Sequence, residues 1–342
     1  MEDIGSMCAD RLKNYGRLQE LYGAIDSPLV VAYVETGLQL MCVKEFLLSS
    51  TSTDYVIFSR RSRSEKVNQR LTVVGECLDV KLCWQKIGGK RDIKGLFLLA
   101  ANLRKQLKRD KTILLLGDKD SLVCRVLTKI AYPKTIVVYV DDGVATFDQY
   151  RSAVVKNEKV NWYSIFDLPS TENIGVVGHA FENVKSIPCL QRSITASKQS
   201  IFLGSPMVEG GFMTGDDYAS YIRSACERAC RPITYVPHPK ENNEQVRRLA
   251  ENHGVIVSNA SDLPIEIRLL KGELAADEVF SMMSTATFTL ASILTFATIY
   301  GFELPTRHLG LAKTRGAYSH FEKVVEEALK LENFRLISIN ES

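Results

Sequence analysis

The sequence predicts an α/β protein built as two Rossmann-like lobes facing a central cleft. Three observations carry that expectation. Short β-rich runs alternate with longer helical patterns in both halves of the chain. Two apolar runs, 135–140 and 233–236, stop abruptly on ionisable residues. Between the halves, over roughly 150–195, the alternation gives way to turn-forming composition. Alternating strand and helix patterns mean βαβ units and a parallel sheet. In such sheets the carboxyl ends of the strands border the ligand crevice.

In the first half, strands are expected at 29–34, 55–58, 71–74, 112–116 and 135–140, with helices at 38–48, 94–107 and 121–130. Lys156-Asn157-Glu158-Lys159, Pro169-Ser170-Thr171 and Ile187-Pro188 read as the end of a first domain and a connection. Residues 1–190 are thus expected as an acceptor-side domain and 191–342 as a nucleotide-donor domain. In the second half, strands are expected at 200–203, 233–236, 255–257, 279–282 and 296–299. Helices are expected at 216–230, 243–253, 263–271 and 285–293. A last helix at 320–331, apolar on one face, is of the kind that packs back on the first lobe.

Composition bounds the function. With 342 residues, 45% of them apolar and 24% charged, the chain has enough material for a full core. A net charge of +3 gives no general affinity for nucleic acid, and no nucleic-acid partner is expected. Two basic clusters stand out, Arg60, Arg61, Arg63, Lys66 and Arg70, and Arg104, Lys105, Lys108, Arg109 and Lys111. They read either as solvated faces or as a surface for an anionic acceptor or an anionic membrane. The eight cysteines show no Cys-x-x-Cys spacing and read as buried thiols, which suits a reducing cytoplasm. The acidic start, Met1-Glu2-Asp3, has no leader-like apolar stretch. The apolar stretch 287–304 is broken by threonines and Glu303, and reads as a buried helix followed by a strand rather than a membrane span.

The chemistry-bearing positions lie at strand ends. Asp141-Asp142-Gly143 closes one run, and the glycine lets a carboxylate turn into the cleft. A pair of carboxylates raises proton affinity at one of them, as a general base needs. The same triplet also reads as a simple turn cap. His238, fixed between Pro237 and Pro239, is placed to meet an anion or a leaving group, or is a structural histidine. Ser284 and Thr285 open an apolar helix, where they cap it or help hold a phosphate. Gly204-Ser205-Pro206 reads as a loop over the cleft. No Gly-x-Gly-x-x-Gly or P-loop pattern occurs, which argues against dinucleotide binding and P-loop hydrolysis. Asp118-Lys119-Asp120 lacks further oxygen ligands and reads as a helix cap, so no metal site is expected. His179, His253, His308 and His320 are expected to be structural or exposed.

Taken in order, Asp141-Asp142-Gly143, His238-Pro239 and Ser284-Thr285 resemble the three signature motifs of bacterial sialyltransferases. The resemblance is to the lipooligosaccharide enzymes of glycosyltransferase family 52 and the related capsular polysialyltransferases. Tyr33–Leu40 is similar to that family's first strand and loop, with Thr36-Gly37 in place of a Ser-Pro pair. Gly204-Ser205-Pro206 resembles a Gly-Gln-Pro turn of the family, and Pro264-Ile265-Glu266 a Pro-x-Glu segment. The resemblance covers about residues 29–300 and implies the GT-B layout, which some sugar-nucleotide epimerases and phosphorylases share.

It further implies an inverting, metal-independent transfer of sialic acid from CMP-sialic acid to a hydroxyl of a glycolipid or polysaccharide. Asp141 would be the general base, with Asp142 as the alternative. His238, Ser284 and Thr285 would hold the CMP phosphate beside Pro239. Glu266 would bind the ribose or cytosine edge, and Gly204 and Ser205 would line the nucleotide site. No cofactor is implied beyond the donor. Other expectations are a cytoplasmic location, peripheral on the inner face of the plasma membrane, and a homodimer. Alternatives are a transferase of another CMP-activated acid such as Kdo, a sugar-nucleotide epimerase, and a non-catalytic binder of anions or sugars.

Overall fold

The computed structural model describes residues 28–339 apart from 51, 88–91, 108–111, 189, 191–198, 260, 262, 283 and 305–314, and gives the backbone alone for 315–321. Lys108, Arg109, Lys111 and His308 lie outside the described residues. The chain divides into two compact units. One is Met1–Leu190 with Asp262–Ile267, and the other is Gln191–Ser261 with Arg268–Ser342. The first unit thus takes in a short segment from far along the chain, where the ring of Pro264 lies against Gly37.

The first unit runs β1 (Leu29–Val34), α1 (Gly37–Ser49), β2 (Tyr55–Arg61), α2 (Glu65–Cys77), β3 (Leu82–Lys86), α3 (Ile93–Gln106), β4 (Thr112–Leu116), α4 (Leu122–Ile130), β5 (Ile136–Val140), α5 (Ala145–Val155), β6 (Val160–Ser164), β7 (Ile174–Gly178) and α6 (Glu182–Lys185). The strands form one sheet in the order β3-β2-β1-β4-β5-β6-β7, and every pairing is parallel. β1 and β4 are buried along their whole length. Unbroken apolar strands of this kind belong to parallel sheets covered on both faces. The order reverses between β1 and β4, where Tyr33 pairs with Leu116. This reversal is the topological switch point, the place where open α/β sheets bind ligands.

The second unit runs β8 (Ser200–Leu203), α7 (Gly215–Arg228), β9 (Ile233–Val236), α8 (Asn243–His253), β10 (Ile256–Val257), α9 (Ile265–Leu270, which straddles the division), β11 (Glu278–Ser281), α10 (Thr285–Ile293), β12 (Thr298–Phe302), α11 (Arg315–Ala328) and β13 (Phe334–Ile337). Its parallel sheet, β10-β9-β8-β11-β12-β13, has its reversal between β8 and β11. Phe202, Tyr218, Tyr221, Tyr235, Phe280 and Phe302 make its aromatic core, with Phe202 and Tyr235 stacked at 5.6 Å. Two Rossmann-like α/β lobes are therefore present.

The structure corrects two expectations. The run 71–74 is part of helix α2, not a strand. Its buried positions Asn68, Leu71, Val74 and Gly75 recur at helical spacing, and that periodicity overrides the β-branched local composition. The stretch 150–195 is not a bare connection. It carries the end of α5, all of β6 and β7, and α6; the turn-rich residues flank short strands that pair with β5. The apolar stretch 287–304 is α10 followed by β12. Among the described residues no helix is long and apolar enough to cross a membrane.

Candidate functional site

At the first lobe's reversal, three strand ends bring acidic groups together. Beyond β1, Thr36 caps α1 by accepting a hydrogen bond from the Gln39 amide at 3.2 Å, which fixes Gln39 in the first helical turn. The buried Gln39 side chain then bridges two strand ends. Its Oε1 accepts from the Glu35 amide at 2.7 Å, and its Nε2 donates to Asp142 Oδ1 at 2.6 Å. It lies directly over Gly117 at the end of β4, where any Cβ would stand 2.2 Å from its amide carbon. A side chain at this position would have to push the Gln39 amide off its two partners.

Glu35 takes a hydrogen bond from the Tyr33 hydroxyl at 2.6 Å and an ion pair from Arg60 at 3.0 Å. Arg60 belongs to the first basic cluster. Asp118 accepts from Gln149 Nε2 and from the Asp120 amide, both at 2.9 Å. Asp118-Lys119-Asp120 is therefore a hydrogen-bonded turn, with Lys119 paired to Glu158 at 2.7 Å and Ser121 as the helix cap.

The two aspartates after β5 are held in opposite ways. Asp141 is fully buried. Its Oδ1 accepts from Ser164 Oγ at 2.6 Å and its Oδ2 from the Ile165 amide at 2.7 Å. Burial pushes its carboxyl up to about 7 against those hydrogen bonds and that of Thr146, while the neighbouring Asp142 adds to the rise. Asp142 is half-buried, with its amide donating to Thr146 Oγ1 at 3.1 Å. Burial raises its carboxyl too, helped by the charges of Asp118 and Glu35 and opposed by the Gln39 hydrogen bond. Gly143 follows at φ 74°, a left-handed turn that glycine adopts without strain. Of the pair, Asp142 is the carboxylate with a solvent-reachable surface and a raised proton affinity.

Sequence reasoning missed what stands behind Asp141. His179 is a buried histidine beside this carboxylate. Its Nε2 is 4.0 Å from Asp141 Oδ2, and its ring stacks on Tyr163 at 4.4 Å. Neither ring nitrogen has a hydrogen-bond partner. Burial depresses its basicity to about 3, so it is neutral. Cys42, Asp141 and His179 hold their donor atoms within 4.8 Å of one another, a set of types that could hold a transition metal, although both Asp141 oxygens are already engaged. No spacing rule could have signalled this set, because its members come from a helix and two strand ends far apart in sequence.

The second lobe's strand ends carry a different chemistry. The Gly204 amide donates to the Val236 carbonyl at 2.8 Å, and the Ser205 amide to the Tyr218 hydroxyl at 2.9 Å. Glu241 gathers the cluster. Its Oε1 accepts from the hydroxyls of Tyr235 at 2.5 Å and Tyr218 at 3.3 Å, and its Oε2 from the His238 amide at 2.5 Å. Burial pushes Glu241 up to about 7, against these hydrogen bonds. A Cβ on Gly204 would stand 2.1 Å from Glu241 Oε2 and 2.9 Å from the His238 amide, so glycine is what lets the two loops meet. His238 is half-buried, and its Nδ1 accepts from the Lys240 amide at 3.2 Å. In the neutral ring the proton therefore sits on Nε2.

Ser284 holds the N-cap position of α10, beyond β11 and next to the end of β8. Its amide donates to Thr287 Oγ1 at 3.1 Å, and Thr285 begins the helix beside it. The start of α10 thus presents amides and hydroxyls at the second reversal, an environment that suits an anion. Gly204, Ser205 and His238 come together around Glu241, and Ser284 and Thr285 lie on the adjacent strand end. Pro239 is exposed beside His238. Glu266 is 8% exposed in α9 and counts with the first lobe.

No family model and no curated protein matches the chain. Solved structures do. A putative UDP-N-acetylglucosamine 2-epimerase from Listeria monocytogenes is 12% identical with a TM-score of 0.58, covering 92% of this chain and 85% of that one. The UDP-GlcNAc 2-epimerase from Methanocaldococcus jannaschii is 12% identical with a TM-score of 0.52, covering 91% and 89%. An α/β-galactoside α-2,3-sialyltransferase from Photobacterium phosphoreum is 13% identical with a TM-score of 0.49, covering 91% and 99%. The first two likenesses show the fold, a two-lobed Rossmann-like layout.

Proposed function

We propose that this protein is a glycosyltransferase that moves sialic acid from CMP-sialic acid to an acceptor hydroxyl with inversion. The carrying observation is the division of labour between the two lobes' strand ends. The first offers an oriented carboxylate of raised proton affinity, Asp142. The second offers an imidazole and a helix start with amides and hydroxyls. Asp142 is the base in this reading, because Asp141 is buried under its hydrogen bonds with Ser164, Ile165 and Thr146. It takes the proton of the acceptor hydroxyl as that oxygen bonds to the anomeric carbon. The bond from that carbon to the phosphate oxygen breaks in the same displacement, and CMP leaves with the electron pair. His238 Nε2–H, Ser284, Thr285 and the first amides of α10 receive the phosphate's developing charge. Gly204 and Ser205 border the nucleotide. A monophosphate leaving group stabilised in this way needs no metal, so transfer is expected to persist in EDTA, and complete loss on chelation would reassign Asp118 and Asp120.

A second reading has its own support. Glu35, Asp118 and Asp142 put three carboxylates at one strand-end cluster, which suits proton abstraction and return on a sugar as well as a single deprotonation. That reading is a UDP-sugar epimerase. Calorimetry with CMP and UDP, followed by product analysis with CMP-sialic acid and UDP-N-acetylglucosamine, separates them. Tight CMP binding with release of CMP in the presence of a galactoside supports transfer. Preference for UDP with epimerised sugar would replace it.

A further inference from the structure

An unusual surface lies on the first lobe, on helices that carry Arg104 and Lys105 of the second basic cluster. Helices α3 and α4 pack side by side, and between them runs an apolar groove of about 350 Å³ lined by Ile93, Phe97, Ala100, Val126 and Ile130. Large apolar side chains of the groove and of the helix faces beside it stand out into solvent: Ile93 is 80% exposed and Phe97 70% in the groove, Leu98 52% and Leu122 50% beside it. Their spacing is ordered. Ile93, Phe97, Ala100 and Arg104 follow one helical stripe of α3, and Lys94, Leu98, Ala101 and Lys105 the next. Apolar rows thus end in cations. A soluble protein rarely leaves such a contiguous patch bare without a partner.

The charge around the patch says what that partner is. The two helices carry five basic residues, Lys94, Arg104, Lys105, Arg125 and Lys129, and no acidic one. All five are exposed. Arg104 lies over the Tyr132 ring at 5.2 Å, and the other four have no carboxylate partner among the described residues. Docking of a second copy by twofold symmetry would set these cations against their own images, which costs affinity. A nucleic acid would use the cations but leave Ile93, Leu98 and Leu122 without a role. A bilayer with anionic lipid uses both: the apolar row enters the boundary of headgroups and chains, and the lysines and arginines extend to the phosphates.

We infer that the α3–α4 face docks onto the surface of a membrane containing anionic lipid. The inference does not depend on which sugar reaction the protein performs. Flotation of the full chain with phosphatidylcholine vesicles, and with vesicles containing roughly 30% phosphatidylglycerol, tests it. The protein should float with the anionic vesicles, far less with the neutral ones, and release with salt. Lys94→Ala with Lys129→Ala should weaken partition about 25-fold, at roughly fivefold for each charge. Phe97→Ser with Leu98→Ser should abolish it. All four positions are exposed, so melting temperatures should stay unchanged. Absence of flotation, equal binding to neutral vesicles, or equal flotation of the variants overturns the inference. So does a dimer that the Phe97→Ser, Leu98→Ser protein no longer forms, or binding to a single-stranded oligonucleotide in place of vesicles.

Discussion

The two lobes share a strand order around their reversal, β3-β2-β1-β4 in one and β10-β9-β8-β11 in the other, yet their strand ends are chemical opposites. The first is acidic: Glu35, Asp118 and Asp142, compensated nearby by Arg60 and oriented by Gln39. The second offers amides, hydroxyls and an imidazole, and its carboxylate Glu241 is spent inward on two tyrosines and a backbone amide. In the proposed reading the same kind of parallel sheet supports proton removal in one lobe and anion holding in the other. What differs is the handful of residues immediately past each strand, which a rigid sheet holds in register.

That contrast can be broken at its strongest point first. Asp142→Asn should lower transfer by about 10²–10⁴-fold while CMP affinity measured by calorimetry stays within twofold. Asp142 loses its assignment if turnover remains within threefold of the parent. On the other lobe, His238→Ala should cost about 10²-fold in kcat and weaken CMP binding as well, since both lean on the same phosphate contact. An unchanged CMP titration would detach the imidazole from the anion.

The next two tests concern the support beneath the second strand end. Gly204→Ala must displace the Glu241 carboxylate, and should destabilise the protein by about 1–3 kcal/mol in denaturant melts. A loss below about 0.5 kcal/mol would mean that the loop gives way freely. Glu241→Gln sharpens the electrostatic side. The folded carboxyl is raised from 4.5 to about 7, so folding binds a proton there. The stability it contributes is fully present below the unfolded value and is lost as pH rises through about 7. The glutamine variant should therefore show a flatter melting temperature between those limits. A parallel pH profile in both proteins would show that Glu241 does not carry the slope.

Much of this frame was legible in the chain, because buried strands announce themselves. The runs at 29–34, 112–116 and 200–203 coincide with β1, β4 and β8, whose every residue is buried, as suits parallel strands covered on both faces, and the run at 233–236 coincides with β9. Short strands between polar turns were not: Asn161-Trp162-Tyr163-Ser164 is inconspicuous beside Lys156-Asn157-Glu158-Lys159, and only its pairing with β5 makes it a strand. At the site, the strand-end motifs drew the eye to Asp141 and Asp142 alike. Which of them is reachable depends on Ser164 and Ile165, more than twenty residues on, and pairings at that range leave no local periodicity. Gln39 lay inside a segment already singled out, and Glu241 two residues past Pro239. Their roles emerge only from the close approach of Gly117 and Gly204, where the missing side chain is itself the signal.

The six residues Asp262–Ile267 have a consequence for synthesis. The first 190 residues leave the ribosome well before the segment that settles against Gly37 has been translated. The amino-terminal lobe therefore emerges unfinished and keeps a gap beside its first helix until the chain has grown by another seventy-odd residues. A nascent chain stalled shortly after residue 190 should be more open to protease near Gly37 than one stalled far enough along to expose Ile267.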